Sequence, residues 1–214
     1  MSYDRQRQPL DPHSVFLPES PSQTAGPYVH IGLALDVAGL PERDHEIGNV
    51  MAGPDAEGQP IEIAGRVLDG IGDVVADVLI EAWQADAQGR YVTDFAFDNA
   101  FNSLGRAAPA ATDAGHWTLH TVKPGRVMHP DGIEMAPHVN LVLFARGINV
   151  HLHTRLYFDD EQQANQACPF MQRVPPSRRH TLVAQRNGDN DAGQPRYDIV
   201  IRLQGDHETV FFDF

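Results

Sequence analysis

His151 and His153 stand two positions apart in INVHLHTRLYF, residues 148–158, a spacing at which two imidazoles can share a metal ion. On a strand, the two-residue period turns both rings to one face and sends Val150, Leu152 and Thr154 to the other. The pair supplies half of a usual coordination shell, so a metalloenzyme built on it needs further donors. A polar sheet face or a subunit contact would use the same spacing without an ion. Other candidates are thinner. Asp159, Asp160 and Glu161 form an acidic run that suits either a cation or a helix N-terminus. His116, His120, His129 and His180 have no companions at ligand spacing. Cys168 is the only cysteine, so no intrachain disulfide is possible, and no Cys-His signature marks it as a nucleophile.

The elements that must position these residues read as strands. Residues 1–17 are polar and broken by prolines, which predicts an N-terminal arm, and residues 18–214 are expected to form one domain. Gly26-Pro27 marks a turn, and the segment to about Glu57 carries only scattered helical and loop signals. From Ile61 onward short apolar runs alternate with turn residues: IEIAGRVLDGIGDVVADVLIEAWQAD, GHWTLHTVKPG and HVNLVLFARGINVHLHTRLYF. Asp69-Gly70, Asp113-Ala114-Gly115 and Ala145-Arg146-Gly147 sit where turns are needed. DDEQQANQA predicts a short helix with Asp159 and Asp160 at its start, VPPSRRHTLVAQR a loop entering a strand, and RYDIVIRLQG and ETVFFDF two further strands. The fold class expected is therefore all-β, a β-sandwich with short helical and loop decorations. Trp83 and Trp117 are expected as core or interface aromatics, Glu81 as the partner of a buried arginine, and the apolar VFFDF as a packed end rather than a free tail.

Composition narrows the function. The chain has 214 residues, 42% of them hydrophobic, enough for one large core. Acidic side chains outnumber basic ones by 29 to 16, a formal charge of −13, which argues against nucleic acid and against an anionic membrane surface as partners. A small carboxylate substrate would be repelled by such a shell and would need a local basic group. The first residues lack the apolar run of a signal peptide, no stretch approaches a membrane span, and the cytoplasm is the expected compartment.

Five stretches carry more specific information: SQTAGPYVHIGL, IEAWQADAQGRY, TDAGHWTLHTVKPG, APHVNLVLFARG and ETVFFDF. Together, and in this order across residues 18–214, they resemble the intradiol ring-cleaving dioxygenases. The resemblance implies a β-sandwich of that type. It also implies a non-haem ferric ion, held in the family's catalytic chains by two tyrosines and two histidines, since hard Fe(III) suits phenolate oxygens. Carried onto this sequence, the histidine strand falls at Ala136-Pro137-His138-Val139-Asn140, where the first histidine survives as His138 and the second position is Asn140. One tyrosine position follows Lys123-Pro124-Gly125 and is Val127. The other lies within residues 92–104, which hold Phe95, Phe97 and Phe101 but no tyrosine. The chain is thus expected to bind no metal, and the family's iron slot lies one strand before His151 and His153.

In the family's heteromeric members an α chain without iron pairs with a β chain that carries it, and α loops form part of the wall of the β site. By that resemblance Thr24, Gly26, Pro27 and Tyr28 of QTAGPY are expected to line a substrate pocket. Arg146, on the ARG turn, is expected at its mouth, where a guanidinium would favour the carboxylate of protocatechuate. The implied partners are a β chain holding Fe(III), protocatechuate and dioxygen, and the implied product is 3-carboxy-cis,cis-muconate. Two other readings stand beside this one: a self-sufficient metalloenzyme using His151 and His153, and a purely structural β-sandwich partner with no role in a pocket.

Overall fold

Apolar residues at every second position build the sheet. In HWTLHTV, Trp117 and Leu119 are buried while His116, Thr118 and His120 between them are half-exposed, the alternation of a strand with one face on a core. A computed structural model of the chain describes residues 24–26, 28–41, 43–109 and 114–213. The expected arm over residues 1–17, Pro27 and Asp113 lie outside these described residues. The elements are α1 (Tyr28–Leu33), β1 (Pro60–Leu68), β2 (Leu79–Gln84), β3 (Leu104–Ala107), β4 (His116–Val122), β5 (Val127–Met128), β6 (Glu134–Met135), β7 (His138–Phe144), β8 (Leu152–Phe158), α2 (Gln162–Ala167), α3 (Pro169–Arg173), β9 (Val183–Asp189) and β10 (Pro195–Arg202), with a 3₁₀ turn over Pro176–Leu182 before β9.

Eight strands join in the order β3-β2-β7-β8-β9-β10-β1-β4, and β5 pairs with β6 alone. The order divides into two four-stranded halves. Among the described residues the two halves pair strand to strand along a short parallel seam, Tyr157 opposite Val183 and Phe158 opposite Ala184. Residues of both halves, including Ile61, Ile63, Ile80, Leu141, Leu143 and Ile199, share one buried cluster, so the expected sandwich forms with the halves folded across the seam. At the far edges β3 and β4 approach one another, which nearly closes the sheet.

The opposite face of β7 and β8 is covered by a second cluster. Tyr157, Ala164, Cys168, Met171, Val174 and Leu182 pack there with Val127, Met135 and Ala136, so α2, α3 and the 3₁₀ turn act as its lid. The helix expected after Asp159 forms, but the two aspartates do not cap it. Glu161 holds the N-cap position without a side-chain bond. Asp160 instead accepts hydrogen bonds from Lys123 (2.7 Å) and from the Tyr197 hydroxyl (2.8 Å), and Asp159 accepts from the Arg186 backbone (3.1 Å). Those acids tie α2 to strands rather than to its own backbone. Of ETVFFDF, the described residues 208–213 form no full strand; Phe212 makes an isolated bridge to His153, its N–H donating to the His153 carbonyl at 2.8 Å. Glu81 has its arginine in Arg106 at 2.6 Å, half-buried on the β2–β3 pair.

Gly65 lies where β1 passes Trp117, and a Cβ there would stand 2.6 Å from the indole and 2.7 Å from the Ile199 carbonyl oxygen. Gly65→Ala should therefore destabilise the fold by ~1–3 kcal/mol through overpacking. Gly32→Ala, on α1 with nothing within 4 Å, should raise stability by ~0.5–1 kcal/mol. Urea denaturation of the two variants checks the contrast, and equal midpoints would sink it.

Candidate functional site

Two groups of residues matter, and they sit at opposite ends of β7. At its C-terminal end the chain turns through Ala145-Arg146-Gly147, with Gly147 at φ 85°, a conformation glycine adopts without a Cβ clash. The Thr24 hydroxyl straddles this turn: it donates to the Ala145 carbonyl (3.3 Å) and accepts from the Gly147 N–H (2.6 Å). The QTAGPY segment and the ARG turn, far apart in sequence, are thus brought together. Gly26 accepts the Val29 N–H at 3.0 Å as α1 begins, and no atom lies within 4 Å of the place a Cβ would take. Tyr28 is 83% exposed and projects from the first turn of α1. The Arg146 guanidinium is exposed but paired with Asp77, at one edge of an open depression of about 850 Å³ that also involves Val74, Asn149 and Gln204. Asp77 is a site neighbour that sequence reasoning missed, because the residues between β1 and β2 show no motif.

At the N-terminal end of β7 lies the slot where the family resemblance places iron. His138 is buried, and its Nδ1–H donates to the Ala136 carbonyl at 2.7 Å. That leaves Nε2 unprotonated, buried and without a hydrogen-bond partner. Burial, helped by the nearby Arg155 charge, pushes the imidazole down to about 4, so the ring is neutral near pH 7. Asn140 spends its amide on two neighbours: Oδ1 accepts from Arg155 Nε (2.8 Å), and Nδ2 donates to the Trp83 carbonyl (3.2 Å). Arg155, 8% exposed, stands opposite Asn140 across the β7–β8 ladder, and Tyr157 stands opposite His138. The Tyr157 hydroxyl meets the Cys168 thiol at 3.7 Å, which leaves Cys168 a buried, packed side chain. Burial raises the pKa of Tyr157 and of Tyr91, which stacks on Trp83 at 5.6 Å, while the Arg155 charge pulls both back.

A ferric ion does not fit these residues. Val127 offers no donor, Asn140 offers only a weak amide oxygen that already accepts from Arg155, and a permanently charged guanidinium lies among them. Sequence reasoning found His138 and Asn140 but missed Arg155, Tyr157 and Tyr91.

His151 and His153 do come together, ring centroids 4.8 Å apart and edge to face, with Phe144 beside His151 at 5.8 Å. His153 is held by its backbone contact to Phe212, and its pKa is lowered, chiefly by desolvation and then by the neighbouring His151. Among the described residues no group of three His, Cys, Asp or Glu side chains is placed to hold a metal. No described helix is long and apolar enough to cross a membrane.

A nearly closed all-β sheet with a two-strand slot under a helical lid defines the class. Residues 36–205 match the family model described as Dioxygenase. Its fold is shared by 3-chlorocatechol 1,2-dioxygenase from Rhodococcus opacus 1CP, at a TM-score of 0.56 and 21% identity, over 76% of this chain and 68% of that one. The chain belongs to the intradiol dioxygenase family. Closer in sequence is the α chain of protocatechuate 3,4-dioxygenase from Pseudomonas putida, 59% identical over 199 residues, 92% of this chain and 98% of that one. The β chain of protocatechuate 3,4-dioxygenase from Burkholderia cepacia is 32% identical over 173 residues, 74% of this chain and 72% of that one.

The neutral His138 has a measurable consequence. An unfolded histidine takes its proton near 6.5, whereas the folded one holds out to about 4. Acid therefore favours the unfolded state, and the loss sets in as pH falls below about 6.5, reaching on the order of 3 kcal/mol near pH 4. Unfolding free energies from pH 7.5 to 4 should slope downward in the native chain and more shallowly in His138→Gln. Parallel slopes would mean His138 is not held neutral.

Proposed function

We propose that this chain is the α subunit of a protocatechuate 3,4-dioxygenase, paired with a β chain that carries the ferric ion. The assembly opens the ring of protocatechuate between its two hydroxyl-bearing carbons, adds both atoms of dioxygen and yields 3-carboxy-cis,cis-muconate. The likeness to an α chain at 59% identity supports the assignment to this subunit, and the likeness to a β chain supports a partner of the same fold. One observation carries the division of labour. Thr24 and Arg146 sit at one end of β7 and His138 at the other, and a seven-residue strand at 3.3 Å per residue puts roughly 20 Å between them. The pocket residues of this chain are thus far from its own slot, which supports the reading that they serve a site completed by the β chain.

Within that site Thr24, Gly26, Pro27 and Tyr28 form wall, and Arg146 supplies positive charge for the substrate carboxylate. Asp77 tempers this role, because it already neutralises part of the guanidinium. A cytoplasmic location fits the lone, buried Cys168, which forms no disulfide.

One observation favours a structural role for part of this wall: the Thr24 hydroxyl spends its one proton on the Ala145 carbonyl and accepts the Gly147 N–H, so toward a ligand it can offer only its remaining lone pair, as an acceptor.

Iron content and protocatechuate-dependent oxygen uptake, measured on the chain alone and on the chain co-expressed with a β partner, test the proposal. About one ferric ion per αβ pair and activity only in the complex are expected; stoichiometric iron and turnover in the lone chain would overturn it. In the complex, Arg146→Ala should lower kcat/KM for protocatechuate about 3- to 10-fold and for uncharged catechol by less. Asp77→Asn should shift the ratio the other way. Equal losses on both substrates would remove the electrostatic role of Arg146.

A further inference from the structure

The misfit between the family's iron and the residues of this slot has a definite shape. Arg155 reaches from β8 into the face of β7 where donors to a metal would converge. Its Nε donates to Asn140 Oδ1 at 2.8 Å, its Nη1 lies 3.9 Å from Met135 Sδ, and its guanidinium carbon stacks 4.0 Å above the centre of the Phe170 ring. His138 and Tyr157, rings 5.9 Å apart, flank it on one side in register, and Tyr91 closes the other through Asn140. All the oxygen and nitrogen acceptors here are neutral, and the cation among them is delocalised, planar and permanently charged.

We propose that Arg155 is the resident cation of this slot, a covalently attached substitute for the metal that both holds Asn140 and its neighbours together and bars metal ions from binding. A guanidinium and a metal ion want the same acceptors: the Asn140 oxygen, the two phenol oxygens and the unpartnered His138 Nε2. A guanidinium needs no anionic ligands and cannot be lost to chelators or hydrolysis. A metal entering beside it would meet like charge in a site buried from water, where screening is weak. The loss of the second histidine and the presence of the arginine are then one change, since Asn140 Oδ1 accepts from a guanidinium and an unprotonated imidazole in its place would compete for the metal instead.

The test uses the αβ complex, with the partner's iron as internal standard, and Co(II) as the added probe in equilibrium dialysis. Asn140→His restores a second imidazole but leaves the arginine, and it should bind no more cobalt than the native complex. Asn140→His combined with Arg155→Gln should take up as much as one further equivalent, with affinity at least tenfold above that of Asn140→His. Equal cobalt uptake by the single and the double variant, or none by the double variant in a complex that keeps its iron, overturns the exclusion. If the double variant does not assemble, thermal unfolding of Arg155→Lys and Arg155→Met decides. The lysine variant, which keeps a cation, should melt closer to the native complex, and a methionine variant as stable as the native complex would overturn the proposal.

Discussion

The register of β7 against β8 is the constraint on which the rest depends. Pairing His138 with Tyr157 and Asn140 with Arg155 places four polar side chains on one face at one end of the hairpin, while Val139, Leu141 and Leu143 turn to the shared core. A slip by one residue would exchange the faces, burying Arg155 in the aliphatic core and sending the leucines under the helical lid. The hydrophobic pattern therefore fixes the polar slot as firmly as it fixes the core. Position 140 is opposite position 155 because leucines must point the other way.

That placement brings an electrostatic obligation. A cation buried between strands is tolerable only if its donors are satisfied, and removing one partner of such a group commonly costs ~3–5 kcal/mol. Arg155 meets the obligation with soft and neutral neighbours: an amide oxygen, a thioether and an aromatic face. Its charge makes an unprotonated His138 and neutral phenols easier to understand as one system. Desolvation alone would keep the phenols protonated, and the cation beside them further disfavours an imidazolium while offering the phenol oxygens a compensating field. The slot thus holds one positive charge among neutral polar and aromatic neighbours.

Much of this was legible in the sequence. Period-two alternation located β1, β2, β4, β7, β8 and β10, and the motif order carried the family. What was not legible depended on register and on distant contacts. A tight turn at Ala145-Arg146-Gly147 would set Phe144 against Ile148 and Asn140 against Leu152. The loop instead runs through residues 145–151, and Asn140 meets Arg155, three positions further on. No local signal encodes that odd shift, so Arg155 and Tyr157 could not be assigned to the slot in advance. Asp160 misled for a related reason: its preferred role at a helix start is local, but Lys123 and Tyr197, distant in sequence, bind it more strongly than the orphan amides of α2.

The two ends of β7 also explain how one fold can serve as a partner instead of a catalyst. In a sandwich, loops at one end and the covered face at the other are joined only through strand backbone, so side chains at the slot can change without moving the ARG turn. The turn is positioned by Thr24 and by the glycine at 147, neither of which touches His138, Asn140 or Arg155. Changes more than about 7–10 Å apart with no shared partner act nearly independently. A chain of this family can therefore give up the donors for iron, fill the gap with a guanidinium and still present an unaltered loop surface. The same independence means that a loop surface serving a neighbouring site places no demand on the residues at the other end of the strand, so the slot and the turn can change separately.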